Sequence, residues 1–158
     1  PFRRPATILV ESGCEEYLKN RLIEEIGKFE VGDPLSRKSA VGVVQDPGRA
    51  REVAAAIISQ KKKTLDVLSW GGFQKNVFYP ALIGGVLDPK ATGGFSNLPV
   101  LRLQVIQSIE NAFDQVMQSS NLMFSSVWSA DKYLEELARD SLQVSSIFLN
   151  TLPLTLPE

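Results

Sequence analysis

The sequence of 158 residues contains no histidine and only one cysteine. Histidine is the commonest general base and the commonest transition-metal ligand in proteins. Its absence excludes a histidine-based catalytic triad, and it excludes a zinc site with histidine ligands built from this chain alone. The single cysteine, Cys14, excludes an internal disulfide framework and fits a reducing compartment.

The chain also lacks an excess of charge of either sign, and it lacks long apolar runs. Its 17 basic and 18 acidic residues leave a net charge of −1, whereas nucleic acid or an anionic membrane requires a basic stripe. No apolar run approaches the roughly 18 to 20 residues that span a bilayer. We therefore expect no nucleic-acid or membrane partner and a cytoplasmic location. The chain begins at Pro1 rather than at a methionine, so the alternative that a targeting peptide has been removed is kept.

What the sequence does contain is an alternation of strand-like and helix-like segments. Short β-branched or alternating runs predict strands, and apolar residues at helical spacing predict helices between them. Strands joined by helical crossovers form parallel sheets covered on both faces. The pattern therefore predicts one α/β domain over residues 1–158, with three layers and a largely parallel sheet. The predicted strands are 7–10, 66–70, 77–83, 100–106, 123–128 and 146–150, and helices lie between them.

Local signals mark several element boundaries. Ser12 and Glu15 have the spacing of a capping box at the start of the first helix. Asp46 followed by Pro47 predicts the N-cap and the first position of the second helix, because proline has no N–H to lose there. Pro80 removes a hydrogen-bond donor from the strand at 77–83, which predicts a gap in its ladder.

Four aromatic residues surround the Gly71-Gly72 pair: Trp70, Phe73, Phe78 and Tyr79. One interpretation is core packing beneath a loop. The other is an exposed platform that contacts a partner, because aromatic residues are enriched among interface anchors. The sequence favours packing, and the four residues stay candidates for partner contact.

Two further groups of side chains are candidates for chemistry. Cys14 is predicted in the first turn of a helix, where the dipole favours a thiolate, so it is a redox candidate. No histidine is present to activate it, and a half-buried cysteine commonly acts as a small apolar residue. The same helix carries two pairs of adjacent glutamates, which diverge by about 100° and predict a solvated face rather than paired catalytic carboxylates. These glutamates are Glu15, Glu16, Glu24 and Glu25.

The order of several short motifs resembles the catalytic domain of the aldehyde dehydrogenase superfamily. Residues 31–34 match that family's "valine-glycine-aspartate-proline" turn, and Gly71-Gly72 leads into a proline-containing strand at 77–86. Residues 98–101 are similar to the "phenylalanine-glycine-proline-valine" segment, and residues 144–150 to "glycine-threonine-valine-tryptophan-isoleucine-asparagine". The resemblance covers nearly the whole chain, and its specificity lies in the order and spacing.

The departures from the family bear on activity. By the family's spacing, the nucleophilic cysteine would fall near Phe2 or Arg3, and neither side chain can attack a carbonyl. The acidic residue that contacts the nicotinamide ribose would fall near Phe95 or Ser96. The sequence has no G-x-G-x-x-G dinucleotide fingerprint. We therefore expect no catalytic residue, no cofactor and no metal in this chain, and by this interpretation it is not an enzyme.

The resemblance then implies a non-catalytic domain that acts by binding. It is similar in kind to family relatives whose second dehydrogenase domain lacks the cysteine, and to small insect proteins of this family. In a full dehydrogenase, large apolar faces of this domain are covered by the rest of the enzyme, and in this chain they would be exposed to solvent. We therefore expect a homo-oligomer or a protein partner that covers them. The alternative is one part of a complete NAD(P)-dependent aldehyde dehydrogenase, with the nucleophile and the cofactor domain on another polypeptide or on a removed segment.

Overall fold

The fold is taken from a computed structural model of the chain. The structure describes residues 7–33, 35–60, 65–85, 98–118 and 124–151. Several positions named above lie outside these ranges: Phe2, Arg3, Pro34, Phe95 and Ser96. The described residues form two compact units, one up to Val105 and one from Ile106 onward. The prediction of one domain over 1–158 stays a prediction.

The helices of the described residues are α1 (Glu15–Gly27), α2 (Pro47–Gln60), α3 (Ile109–Gln118) and α4 (Lys132–Ser141). The strands are β1 (Thr7–Glu11), β2 (Glu30–Val31), β3 (Ser39–Val41), β4 (Leu65–Trp70), β5 (Phe73–Gln74), β6 (Val77–Phe78), β7 (Ala81–Gly85), β8 (Val100–Ile106), β9 (Phe124–Val127) and β10 (Ser146–Leu149).

A four-stranded sheet in the order β1-β8-β7-β4 forms the centre of the first unit. β7 and β8 are parallel, with Ala81 opposite Val100. β4 pairs with β7 in the antiparallel direction. Only the short β5–β6 hairpin connects these two strands, and parallel neighbours would need a longer crossover. The predicted α/β fold with a mostly parallel sheet is therefore confirmed, with β4 as an antiparallel member.

The sheet has a helix on each face, which produces the predicted three layers. On one face, α2 packs Val53 and Ile57 into a core that contains Ile83 of β7. On the other face, α1 packs Leu18 and Leu22, among others, around Leu82. Leu82 and Ile83 are neighbours in sequence, and both are fully buried. They lie in opposite cores because successive strand residues point to opposite faces.

The start and end of α1 correct two predictions. The N-cap residue is Cys14, and its side chain makes no capping bond. Gly13 has a φ of +99°, so the chain turns between Ser12 and the helix. The Glu15 carboxylate accepts a hydrogen bond from the Gly13 N–H. The predicted Ser12–Glu15 capping box is therefore wrong. The helical spacing of Leu22 and Ile26 also predicts Phe29 on the apolar face of α1. Phe29 instead lies beyond the end of the helix and is 51% exposed, so this prediction is wrong.

The predicted gap at Pro80 and the turn at Asp33 are both present. The run 77–83 is divided into β6 and β7 on either side of Tyr79 and Pro80. The Asp33 carboxylate accepts a hydrogen bond of 2.9 Å from the Leu35 N–H. Its carbonyl accepts another, of 2.9 Å, from the Ser36 N–H. Asp33 therefore has a structural role in the turn.

Asp46 caps α2 as the sequence predicts. Its carboxylate accepts a 2.9 Å hydrogen bond from the Arg49 N–H, and Pro47 is the first helical residue. We expect Asp46→Ala to lower the free energy of unfolding by about 1 kcal/mol, because an N–H at the helix start loses its acceptor. Asp46→Asn retains an oxygen at this position and should cost less. Urea denaturation of the two variants measures the difference, and equal losses would contradict the capping role.

The second unit has a small core of its own. Phe113 of α3 packs with Ala138 and Leu142, and side chains from β9 and β10 surround them. β9 and β10 are parallel, with Ser146 opposite Phe124. The Asp131 carboxylate caps α4 by accepting from the Tyr133 N–H at 2.9 Å. The helical spacing of Ile109, Ala112, Phe113 and Val116 predicts α3, and Ala112 and Phe113 are its buried residues.

Asn150 connects the end of β10 to the loop that follows β9. Its side-chain oxygen accepts from the Ser129 N–H at 2.9 Å, and its amide nitrogen donates to the Ser129 carbonyl at 2.8 Å. The same nitrogen donates to the Glu135 carboxylate at 2.9 Å. Asn150 also has a φ of +52°, a left-handed conformation that asparagine tolerates better than most residues.

We expect Asn150→Ala to lower the free energy of unfolding by about 2 kcal/mol, because it removes these hydrogen bonds and strains the backbone. Asn150→Gly removes the same bonds but adopts a positive φ without strain, so it should cost about 1 kcal/mol less. Thermal unfolding of both variants tests this. If alanine costs no more than glycine, the left-handed conformation contributes nothing.

Within the ranges that the structure describes, no helix is long and apolar enough to cross a membrane.

Candidate functional site

The segment around Gly71-Gly72 distributes its side chains alternately between two surroundings. Trp70 packs against the α2-side core, whereas its neighbours Ser69 and Gly71 line an open groove on the surface. Phe78 is likewise completely buried in that core, and Tyr79 lines the groove. The alternation follows from the extended backbone on both sides of the β5–β6 hairpin.

Three of the four aromatic candidates therefore form one packed cluster. The Phe78 ring centroid lies 5.6 Å from that of Trp70 and 6.3 Å from that of Phe73, in tilted arrangements. Because the exposed fraction of Phe78 is 0%, it cannot belong to a partner-contact platform. The structure thus corrects the idea of a four-residue platform. Trp70 and Phe73 pack against the core beside Phe78, and Tyr79 alone of the four lines the groove.

The groove has a volume of about 350 Å³. Its walls come from the end of α1, from β2, from β4 and from the segment before β7. The only hydroxyl groups among the lining side chains belong to Ser69 and Tyr79, and no lining residue is a carboxylate, a lysine or a thiol. The groove can therefore bind an apolar group, but its lining side chains offer no general base and no strong nucleophile. The lining residues are Ile26, Gly27, Phe29, Val31, Ser69, Gly71, Tyr79 and Pro80.

Sequence reasoning identified Tyr79 and the diglycine pair but missed the remaining walls of this groove. The helical spacing predicts Phe29 on the buried face of α1. The residue instead follows the end of the helix at Gly27. Periodicity could not reveal where the helix stops.

Gly71 is required for the position of the Tyr79 ring. A Cβ atom at Gly71 would lie 2.8 Å from Cγ and Cδ1 of Tyr79 and 2.9 Å from its Cβ. The tyrosine is held there because the β5–β6 hairpin turns through Lys75 and Asn76, which both have positive φ, as in a type I′ turn. The Tyr79 N–H also donates to the Gly72 carbonyl at 3.0 Å. The ring thus fills the space beside Gly71, and no room is left there for a phosphate group.

We expect Gly71→Ala to lower the free energy of unfolding by about 1 to 3 kcal/mol, because the added methyl group must displace a tyrosine whose own Cβ is in the way. The matched control is Gly27→Ala in the same groove. Nothing lies within 4 Å of a Cβ built on Gly27, which ends α1. That variant should be neutral or more stable by about 0.5 kcal/mol. Denaturation curves compare the two variants, and a neutral Gly71→Ala would contradict the contact.

Cys14 has an exposed thiol, and within the described chain it caps α1 only through its backbone. It lies in none of the three apolar cores and does not line the groove. Its redox role stays a prediction. The described residues contain no group of three or more Cys, Asp or Glu side chains that could hold a metal ion.

Three glutamates of α1, Glu16, Glu24 and Glu25, form ion pairs along an exposed face. Lys28 Nζ lies 3.0 Å from a Glu24 oxygen and 2.8 Å from a Glu25 oxygen, and Arg21 contacts both carboxylates. The hydrogen bond and the charge of Lys28 lower the pKa of Glu25. The same bond raises the pKa of Lys28. Any stability from Glu25 is therefore present at neutral pH and is lost as pH falls through its lowered pKa.

Residues 4–157 match the aldehyde dehydrogenase family. This chain belongs to the aldehyde dehydrogenase family. It is similar to the lactaldehyde dehydrogenase of Methanococcus maripaludis, with 27% identity over 150 residues. That match covers 92% of this chain but 31% of the relative.

Solved structures of family members share the fold. Aldehyde dehydrogenase 21 from Physcomitrella patens, in complex with the reaction product succinate, superposes with a TM-score of 0.83 at 16% identity. This match covers 96% of the present chain and 31% of that protein. A glyceraldehyde-3-phosphate dehydrogenase from Methanocaldococcus jannaschii, complexed with NADP, superposes with a TM-score of 0.81 at 18% identity over 96% and 33% of the two chains. The chain thus has an aldehyde-dehydrogenase-like fold and spans about a third of the length of these proteins.

The expectation that this chain is not an enzyme is wrong. It rested on the residues near Phe2 and Phe95, which lie outside the described residues. The family that matches residues 4–157 is a family of enzymes, and the relatives and structures named above are dehydrogenases. A segment that spans a third of an enzyme's length need not contain the residues that carry the chemistry.

Proposed function

We propose that this chain acts as one part of an NAD(P)-dependent aldehyde dehydrogenase, and that it completes the catalytic domain together with the parts that carry the nucleophile and the dinucleotide site. The observation that carries the proposal is the match of residues 4–157 to the family. In such an enzyme a bound dinucleotide would supply the hydride acceptor for oxidation of the aldehyde. The relative with 27% identity acts on lactaldehyde, which suggests a small aldehyde as the substrate.

The described residues do not fit a dinucleotide site of their own. This supports the proposal that another part of the enzyme binds the dinucleotide. Among the residues that the structure describes, the diglycine turn is the one loop with adjacent glycines before a strand, and the Tyr79 ring occupies the space beside Gly71. A phosphate cradle needs open backbone N–H groups at a glycine-rich turn. The contribution of this chain is therefore structural: its sheet and its α1-side core hold β1, which resembles the strand that follows the nucleophile in the family.

Exposed apolar side chains agree with a role as part of a larger assembly. Phe29 is 51% exposed and Leu35 is 91% exposed, and Val105, Trp128 and Tyr133 are also exposed. Other parts of a dehydrogenase could cover such side chains, and another copy of this chain could do the same. The homo-oligomer expected from the sequence stays a prediction.

Complementation tests the proposed function. The lactaldehyde dehydrogenase of Methanococcus maripaludis would be expressed without the segment that this chain matches, and this chain would be supplied as a separate polypeptide. We expect lactaldehyde-dependent reduction of NAD or NADP at least tenfold above that of the truncated enzyme alone. The enzyme's own segment, supplied in the same way, is the positive control. The same exchange within one covalent chain removes any dependence on the affinity between the pieces.

The proposal fails under one clear result. The enzyme's own segment would restore turnover, whereas this chain, folded by circular dichroism, would restore none either as a separate polypeptide or in the covalent exchange.

A further inference from the structure

Arg102 occupies an unusual position on β8. This strand lies between β1 and β7 in the four-stranded sheet. Arg102 is opposite Ile83, which is fully buried in the α2-side core. Arg102 therefore extends from the same face of the sheet as Ile83. It is half-buried at a strand position where an apolar β-branched residue would be the usual choice.

The hydrogen bonds of this guanidinium are incomplete. Its Nη2 donates to the Thr7 hydroxyl oxygen on β1 at 3.0 Å. Its Nε is buried and has no acceptor. Among the ion pairs of the described residues, none joins Arg102 to a carboxylate. A buried donor that leaves water without finding an acceptor costs free energy, and more so when it carries a charge.

The chemistry of the two side chains defines the acceptor that is missing. A guanidinium presents its N–H groups as a planar fork that matches two oxygens of a carboxylate or a phosphate. The Thr7 hydroxyl accepts from Arg102 through its oxygen, so its own hydrogen stays available to donate. Arginine and threonine thus offer neighbouring donors and one positive charge, and neither side chain is an anion.

We propose that Arg102 and Thr7 form a binding site for a small oxyanion, a carboxylate or a phosphate, on the α2-facing side of the sheet. The anion accepts from Arg102 Nε and from the Thr7 hydroxyl, and its charge balances the guanidinium. This site is separate from the groove at Gly71, and it does not depend on the proposed dehydrogenase function.

Thermal unfolding of the full chain tests the site. Phosphate, succinate and chloride would be compared at pH 7 and constant ionic strength. We expect the melting temperature to rise with phosphate or succinate and then to saturate, because a ligand that binds only the folded state stabilises it by mass action. General salt effects also raise melting temperatures, but they do not saturate at low concentration. Whichever of the two anions saturates identifies the preferred oxyanion class.

Substitutions link the effect to the site. Arg102→Met removes the unpaired donor, so in chloride it should be at least as stable as the parent chain. Its apparent affinity for the oxyanion should fall at least tenfold. Thr7→Val should weaken binding as well. Arg21→Met, at an exposed arginine of α1, is the matched control and should leave the affinity unchanged.

Two results would overturn the proposal. One is the absence of a saturating rise with either anion in the parent chain. The other is the same saturating rise in Arg102→Met as in the parent chain. If the methionine variant does not fold, Arg102→Lys replaces it: lysine keeps the charge but loses the fork, so binding should weaken, and unchanged binding would count against the site. The linewidth of the phosphorus-31 resonance of phosphate gives a second readout in each variant.

Discussion

Phe78→Ala should lower the free energy of unfolding by about 3 to 5 kcal/mol, as is typical when a large aromatic side chain is removed from a core. Phe78 has no exposed surface. Its ring contacts Trp70 and Phe73, with centroids 5.6 Å and 6.3 Å away. The backbone at this position is fixed by the hairpin turn, so the surrounding core cannot easily close the cavity. Urea denaturation followed by circular dichroism measures the change.

The matched control for this variant is Phe29→Ala. Phe29 is 51% exposed at the edge of the groove, so the same truncation should cost much less. Trp70 provides an additional local probe, because its fluorescence should change when its ring neighbour is lost. A loss below about 1 kcal/mol for Phe78→Ala would mean that this core is loosely packed, in conflict with the close packing of protein interiors.

Leu82→Ala should lower the free energy of unfolding by about 2 to 5 kcal/mol. Leu82 also has no exposed surface, and it lies in the other core, beneath α1. No residue of α1 is fully buried, so the helix depends on this one layer of contacts. We therefore expect hydrogen exchange in α1 to increase more in this variant than in Phe78→Ala.

Leu35→Ala is the control for Leu82→Ala. Leu35 is 91% exposed, and surface substitutions of this kind change stability by about 0.5 kcal/mol or less. A similar loss in the two leucine variants would contradict the assignment of Leu82 to the core. Equal exchange in α1 for Leu82→Ala and Phe78→Ala would show that the two cores unfold together rather than separately.

The comparison between these two cores also bears on the proposed function. In complementation, the Phe78→Ala chain should restore less activity than the parent chain, because a destabilised sheet cannot hold β1 in place. Variants at the oxyanion site, such as Arg102→Met, should retain their fold. They therefore separate the effect of anion binding from the effect of stability.

Much of the fold follows from local features of the sequence. The apolar spacing of α2 and α3, the cap at Asp46 with Pro47 and the break at Pro80 each depend on a few neighbouring residues. The Asp33 turn is local in the same way. Such features can be predicted from the sequence because helix periodicity and capping act over one or two helical turns. The order and spacing of short motifs along the chain also indicated the aldehyde dehydrogenase family.

Local reasoning fails where the outcome depends on contacts that are remote in sequence or on exact backbone angles. The start of α1 was misplaced because the φ of Gly13 is not encoded in any spacing. The inference from the residues near Phe2 and Phe95 failed for a different reason. The chemistry of an enzyme is distributed over its whole length, and this chain spans about a third of its relatives.

The sequence by itself indicated the helices and the longer strands, the α/β class and the family, because each of these depends on local patterns or their order. Only the tertiary structure decided that β4 joins β7 antiparallel and that Phe78 lies in the core while Tyr79 faces the groove. It also decided that Arg102 meets Thr7, 95 residues away. These arrangements arise when the sheet closes and side chains compete for the space on its two faces. That competition is a property of the packed chain and not of any short segment.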